Sequence, residues 1–136
     1  MKLVRPTKLR VKHSPEKPLW GVFACKPIMD KEVIEECPVI PLEGDNPLPL
    51  HRFAWPKAPT DVPQIFVLPL GFGAIYNHSR ENANANWINH PTLDRVFQFV
   101  ATRDIEVGEE VCTYYDDEYW FERDAFNAIP LEGELE

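Results

Sequence analysis

Fourteen prolines among 136 residues are the strongest constraint on how this chain can fold. Proline removes a backbone hydrogen-bond donor and fixes φ, so long helices cannot run through most of the sequence. Six glycines add further breaks. The sequence therefore predicts a mostly β fold, built from short strands joined by turns.

The length and composition are those of one globular domain. With 44% hydrophobic and 12% aromatic residues, the chain has enough apolar material for a core. Neither an internal repeat nor a break in composition divides it. We expect a single domain over residues 1–126, with its core at roughly 10–123, followed by an acidic tail at 127–136.

Charge and cysteine spacing exclude several classes of protein. The formal net charge of -8 repels phosphate backbones and argues against direct binding of nucleic acid. Cys25, Cys37 and Cys112 show no CxxC spacing, so neither a disulfide framework nor a metal site is expected. The N-terminal segment MKLVRPTKLRVK lacks the apolar run of a signal peptide, and no apolar stretch approaches the roughly 20 residues of a membrane span. We therefore expect an intracellular, cytoplasmic protein that does not bind membranes.

Apolar patterning predicts where the strands lie. Residues 9–14 and 20–28 form a predicted strand pair, and residues 29–42 carry a third strand after a turn at Asp30 and Lys31. The proline-rich segment 43–69 is interpreted as an irregular insert over the core. Residues 95–115 are interpreted as another strand pair with a polar turn between its strands.

Two segments place apolar runs directly against side chains suited to a binding site. In GFGAIYNHS, Gly71–Ser79, an apolar run meets consecutive polar residues. In GEEVCTYYDDEYW, Gly108–Trp120, a β-rich run ends in aromatic residues interleaved with carboxylates. Together the two segments predict a pocket for a small molecule and a peptide.

The motifs WGVF at 20–23, YNHS at 76–79 and GEEVCTYY at 108–115 resemble, in this order, those of SET-domain protein lysine methyltransferases. The resemblance covers roughly Arg10 to Arg123 and is nearest to the minimal viral and bacterial SET domains. It implies small curved β-sheets in which the NHS strand and the segment carrying Tyr115 are threaded in a pseudoknot-like arrangement. It also implies S-adenosyl-L-methionine on one face and a lysine on the other, joined by a narrow channel.

The resemblance implies a catalytic residue and a set of cofactor contacts. Tyr115 matches the family's catalytic tyrosine, whose hydroxyl orients the substrate amine. Asn77 and His78 match its cofactor-contacting pair. The remaining implied contacts are the turn at Trp20 and Gly21, where Leu19 replaces the family's first glycine, and Trp120, whose indole suits stacking on adenine.

The resemblance also implies residues that shape the lysine channel. His51 stands where the family places a tyrosine two positions before a phenylalanine, and a surface histidine is the alternative interpretation. Tyr119 is expected to line the channel. Thr113 stands where a family aromatic residue limits the number of methyl groups, so its smaller side chain predicts room beyond monomethylation. After Ser79 the sequence RENANANW aligns Asn84 with a family asparagine through one inserted residue.

The predicted function is therefore S-adenosylmethionine-dependent methylation of a lysine in a basic protein or peptide. Histone-like and ribosomal proteins are both candidate substrates, and the carboxylates at 116–118 predict an acidic rim that attracts them. Homodimerisation that completes the substrate groove stays open, as does a host-cell cytoplasmic location for a viral protein. Two alternatives also stay open: a catalytically weak SET-like peptide-binding module and an unrelated β-rich interaction domain.

Overall fold

Short strands make up the regular structure of this protein. The computed structural model describes residues 2–14, 20–42, 53–57 and 61–114, and each regular element within them is a strand. The strands are β1 Leu9–His13, β2 Trp20–Ala24, β3 Val33–Pro41, β4 Phe53–Trp55, β5 Ile65–Pro69, β6 Asn77–His78, β7 Ala85–Asn89, β8 Val96–Ala101 and β9 Cys112–Thr113. No helix in these ranges is long and apolar enough to cross a membrane. The predicted mostly β fold class is confirmed.

Strands β1 and β2 form a separate antiparallel pair, in register from Leu9 opposite Ala24 to His13 opposite Trp20. This confirms the strand pair predicted for residues 9–14 and 20–28. The backbone of β2 is also hydrogen-bonded to the segment before β9, since the N–H of Val111 donates to the carbonyl of Val22 at 2.7 Å. The β1–β2 pair therefore lies directly against the second of the two predicted site segments.

The other strands form one sheet in the order β4-β5-β3-β8-β7-β9-β6. Strand β3 is its longest strand and pairs antiparallel with both β5 and β8. The predicted third strand is confirmed, as is the turn before it, where Lys31 has a φ of 68°. The fully buried side chains of Phe97 and Phe99 on β8 lie at the centre of the core.

The interpretation of residues 43–69 as an irregular insert is wrong for its described part. Strands β4 and β5 pair antiparallel, with Phe53 opposite Val67, and β5 continues the sheet to β3. Both of these side chains are buried, and burial of such large apolar groups stabilises the strands despite the surrounding prolines. Residues 43–52 and 58–60 lie outside the described residues.

The interpretation of residues 95–115 as two strands paired with each other is also wrong. Strand β8 forms as expected, but it pairs with β3 and β7, whereas β9 pairs with β6 and β7. The chain between β8 and β9 does not form a hairpin turn. Its residue Ile105 is buried and exchanges two backbone hydrogen bonds with Ile28, at 2.8 and 3.0 Å. This bridge carries the segment towards β2 before β9 begins.

Strand β9 is threaded between β6 and β7. It runs parallel to β6, with His78 opposite Thr113, and it meets β7 where Ala85 lies opposite Thr113. Ser79 donates to the carbonyl of Thr113 at 2.9 Å, and Asn84 donates to that of Cys112 at 3.0 Å. The chain from 79 to 84 thus passes around β9, which is the pseudoknot-like threading that the resemblance implies. The domain boundary at 126 stays a prediction, because residues 115–136 lie outside the described ranges.

Candidate active site

The side-chain amide of Asn77 joins three parts of the fold. Its Nδ2 donates to the carbonyl oxygen of Trp20 at 3.2 Å and to Glu110 Oε2 at 2.7 Å. Trp20 opens β2, Asn77 opens β6, and Glu110 precedes β9. Three of the predicted cofactor residues, Trp20, Gly21 and Asn77, are therefore brought together at one junction.

A side chain at position 21 would crowd the polar groups of this junction. A Cβ added at position 21 would lie 2.5 Å from Glu110 Oε2 and 3.0 Å from Asn77 Nδ2. Any other residue would displace both polar groups. Beside it, the side chain of Trp20 is 61% exposed and packs edge-on against His13, with ring centroids 5.8 Å apart. Much of the indole is therefore exposed at the start of β2.

His78 and Thr113 meet across the parallel pair of β6 and β9. Both are buried, and Thr113 Oγ1 lies 2.7 Å from His78 Nδ1. The resemblance assigns His78 to the cofactor and Thr113 to the lysine channel, and in the structure the two side chains are in direct contact. A change at Thr113 would therefore alter the surroundings of His78. The roles assigned to these two residues stay predictions.

Asn84 fixes the loop that encloses β9. It is 1% exposed, its Nδ2 donates to the carbonyl of Glu110 at 2.9 Å, and its Oδ1 accepts from the backbone N–H of Cys112 at 2.9 Å. The alignment of RENANANW with the family requires one inserted residue, and in the structure β7 begins directly after Asn84. The alignment of Asn84 with a family asparagine was the one signal that pointed to it.

Glu110 lies at the same junction, although the sequence motifs do not single it out. Its half-buried carboxylate accepts the hydrogen bond from Asn77, and its Oε1 lies 3.5 Å from the hydroxyl of buried Ser14. The residue belongs to the GEE run, which the sequence offered as a motif without a chemical role. Glu110 and Gly21 lie close together in the fold although they are 89 positions apart in the sequence (110 − 21). No local sequence pattern predicts this proximity.

Comparison with known proteins identifies the family. The SET domain family profile matches residues 19–116. This chain belongs to the SET-domain family. The SET domain described here is 28% identical over 116 residues to the histone-lysine N-methyltransferase, H3 lysine-37 specific, of Schizosaccharomyces pombe, covering 79% of this chain and 74% of that protein. The prediction of a SET-domain protein lysine methyltransferase is confirmed at the level of family and enzyme class.

Solved structures agree on the fold of this SET domain. A Plasmodium falciparum protein assigned as a histone methyltransferase superposes with a TM-score of 0.68 at 26% identity, covering 83% of this chain and 96% of that one. The methyltransferase domain of human PR domain-containing protein 2 superposes with a TM-score of 0.55 at 17% identity, covering 82% and 78% respectively. The second likeness shows the shared fold alone.

Several predicted site residues of the SET domain lie outside the described residues. They are His51, Tyr115, Tyr119 and Trp120. Leu19, which replaces the family's first glycine, also lies outside them. The catalytic role of Tyr115, the stacking role of Trp120 and the channel roles of His51 and Tyr119 therefore stay predictions from the sequence resemblance.

The turn that leads into β6 of the SET domain is anchored on a buried carboxylate. Glu35 on β3 is 2% exposed. It accepts hydrogen bonds from the hydroxyl of Tyr76 at 2.7 Å and from the N–H of Phe72 at 3.0 Å. Gly71 has a φ of 70°, and an added Cβ there would meet the same carboxylate. The GFGAIY part of the first motif is thus an anchored turn that sets where Asn77 begins β6.

Burial raises the pKa of Glu35 above its ordinary value of 4.5, although hydrogen bonds from Phe72, Tyr76 and Cys37 oppose the shift. Burial and the nearby Glu35 charge also raise the pKa of Tyr76 and of the Cys37 thiol. These two groups therefore stay protonated beside the carboxylate. The pKa of the next residue, Glu36, shifts in the opposite direction. Burial raises this pKa, but hydrogen bonds from Gln98 and Val4 and the proximity of His90 together outweigh burial and lower it.

Replacing Glu35 with glutamine is expected to change how stability depends on pH. The folded-state pKa of Glu35 lies above its unfolded value, so the native state holds a proton that the unfolded chain loses above about pH 4.5. The stabilisation from this group is complete below that pH and declines as pH rises through the folded-state pKa. Urea titrations from about pH 4 to about pH 8 should show the free energy of unfolding of wild type falling relative to Glu35→Gln.

Glu36→Gln provides the matched control for this measurement. Because the folded-state pKa of Glu36 is lowered, its stabilisation is present above the unfolded pKa and lost as pH falls. The free energy of unfolding of wild type should therefore rise relative to Glu36→Gln over the same pH range. A Glu35→Gln difference that is constant with pH, or that follows the direction of the control, would contradict the interpretation of Glu35.

Proposed function

We propose that this SET domain transfers a methyl group from S-adenosyl-L-methionine to the side-chain amine of a lysine in a basic protein. The observation that carries the proposal is the junction at Asn77, where the start of strand β2, strand β6 and the segment before β9 meet through hydrogen bonds of 2.7 and 3.2 Å. Family membership and enzyme class support it. When bound, the cofactor supplies an electrophilic methyl group on its sulfonium.

The residues at the junction fit the amino-acid end of such a cofactor. Gly21 keeps the backbone of β2 free of a side chain beside Asn77, and the carbonyl of Trp20 and the carboxylate of Glu110 are hydrogen-bond acceptors there. The exposed indole of Trp20 offers an apolar surface next to these groups. We assign Trp20, Gly21, Asn77 and His78 to holding the cofactor, and Trp120 to stacking on its adenine.

Tyr115 follows Thr113 by two positions, so it continues the chain directly from the strand that is threaded beside His78. We assign its hydroxyl to orienting the lysine amine, which must be neutral to attack the methyl group. Strand β9 pairs with β6, which carries the proposed cofactor residues Asn77 and His78. Tyr115 therefore follows a strand that borders the proposed cofactor site. Tyr119, His51 and Thr113 are proposed to shape the lysine channel.

A lysine-rich protein is the substrate class that the charge supports. The net charge of -8 attracts basic partners over long range, an effect that salt screens. The S. pombe relative is named for histone H3 and the P. falciparum relative for histones. We propose a histone-like substrate, with ribosomal proteins as the second candidate. An intracellular, cytoplasmic location and a homodimer that completes the substrate groove are further parts of the proposal.

The proposal is tested with purified full-length protein and isotope-labelled S-adenosylmethionine. Recombinant core histones and a purified ribosomal protein fraction are offered separately, and mass spectrometry locates the label. We expect cofactor binding by calorimetry and transfer of label to lysine side chains of one fraction. Absence of both cofactor binding and label transfer would refute the proposal, whereas peptide binding without turnover would favour the peptide-binding alternative.

A further inference from the structure

The carboxylate of Glu110 is a negative charge at the cofactor junction that no described cation offsets. It is half-buried against Gly21. Its hydrogen-bond partners are the amide of Asn77 at 2.7 Å and the hydroxyl of Ser14 at 3.5 Å, both uncharged. Within the described ranges, the ion pairs involve other carboxylates. A cation bound beside this carboxylate would therefore be attracted to a negative charge that no described residue neutralises.

The groups around Glu110 are arranged as hydrogen-bond acceptors. Asn77 turns its Nδ2 towards Trp20 and Glu110, so its Oδ1 is left as an acceptor that no other described residue uses. The carbonyl of Trp20 has a second lone pair, and Glu110 Oε1 has a single long contact with Ser14. An ammonium group has three donors and no acceptor, so it complements this arrangement.

We propose that Glu110 binds the α-ammonium group of S-adenosylmethionine and supplies the charge that fixes the amino-acid end of the cofactor. This inference rests on the proposed function and names a ligand-binding role for a residue outside the predicted set. Charge-assisted hydrogen bonds are shorter and about twice as strong as neutral ones. Glu110 therefore contributes more to cofactor affinity than the neutral groups beside it.

The other positive groups in the reaction fit this position less well. The sulfonium carries no N–H, so a set of hydrogen-bond acceptors offers it attraction without directional bonds. The substrate lysine must lose its proton before it reacts, and a neighbouring carboxylate stabilises the protonated form. A carboxylate that held the reacting lysine would oppose catalysis. The α-ammonium is the cation that keeps its charge throughout the reaction.

The test measures calorimetric affinities of the full-length protein for three ligands. S-adenosylmethionine carries both positive groups, S-adenosylhomocysteine keeps the α-ammonium without the sulfonium charge, and 5′-methylthioadenosine lacks the amino-acid end. Glu110→Gln keeps an oxygen for Asn77 but removes the charge. We expect it to weaken binding of the first two ligands by about tenfold each and to leave the third unchanged.

The control variant is Glu106→Gln, which removes the same charge from an exposed position in the same segment. It should leave all three affinities unchanged. Glu110→Asp retains the charge on a side chain that is one methylene shorter. It should show a smaller loss of affinity, confined to the two ligands with the ammonium group. This second variant also tests the proposal if Glu110→Gln does not fold.

Each other outcome overturns the inference in a recognisable way. A loss confined to S-adenosylmethionine would assign Glu110 to the sulfonium. An equal loss for all three ligands would show a structural role, and unchanged affinities would show no role in binding. Failure of the wild-type protein to bind S-adenosylmethionine would overturn the proposed function and this inference together, whereas the first three outcomes leave the proposed function standing.

Discussion

Replacing Tyr115 with phenylalanine is expected to lower kcat for lysine methylation by about a hundredfold. The substitution removes the hydroxyl that we propose orients the substrate amine, and it keeps the aromatic ring that fills the same space. Cofactor affinity should be unchanged, because Tyr115 is not among the residues that we assign to holding the cofactor. Single-turnover methylation of the substrate found by labelling, with calorimetry of cofactor binding in parallel, separates the two effects.

Tyr114→Phe is the matched control for this prediction. Tyr114 immediately precedes Tyr115 in the sequence, and 36% of it is exposed. Its loss of a hydroxyl should leave most of the activity intact. If the two variants lose activity equally, the effect belongs to the segment and not to the catalytic hydroxyl. Full activity in Tyr115→Phe would refute the assignment that the GEEVCTYY resemblance makes.

Replacing Asn84 with alanine is expected to lower the free energy of unfolding by about 3 kcal/mol. The variant leaves the N–H of Cys112 and the carbonyl of Glu110 without their side-chain partner, in a place where Asn84 itself is 1% exposed. A buried polar group that loses its partner costs about 1–3 kcal/mol. Urea titration followed by tryptophan fluorescence measures the change.

Asn82→Ala isolates the effect of the buried amide. The side chain of Asn82 is exposed, and its recorded hydrogen bond uses the backbone N–H, which donates to Ser79 Oγ at 2.9 Å. Its free energy of unfolding should change by less than about 0.5 kcal/mol. A loss below about 1 kcal/mol in Asn84→Ala, or a similar loss in both variants, would show that Asn84 does not hold the loop around β9.

Local apolar patterns in the sequence predict much of the fold. The pair β1–β2 and the strands β3 and β8 were predictable because apolar and β-branched residues such as Val33, Ile34 and Phe97 mark each of them over a few positions. Proline content misled the interpretation of 43–69. There, the buried contact between Phe53 and Val67 decides the structure, and these residues lie 14 positions apart (67 − 53).

The site was predictable where motifs name a residue and hidden where a contact joins distant segments. Asn77 and Gly21 follow from the YNHS and WGVF motifs, and the structure brings them together. Glu35, Asn84 and Glu110 act through partners 41, 28 and 33 positions away, respectively. Hydrophobic periodicity does not report such pairs, because it describes which face of one element is buried.

Because β9 inserts between β6 and β7, the site can form only after most of the chain has been synthesised. His78 and Thr113 are 35 positions apart, so a nascent chain holds the first half of the site long before the second leaves the ribosome. Until then the amide of Asn84 has neither of its backbone partners. Stalled ribosome complexes should bind S-adenosylmethionine only after β9 has emerged, and binding by shorter chains would contradict this order. The proposed methylation site is therefore incomplete until translation has supplied β9 and Tyr115, which follows it.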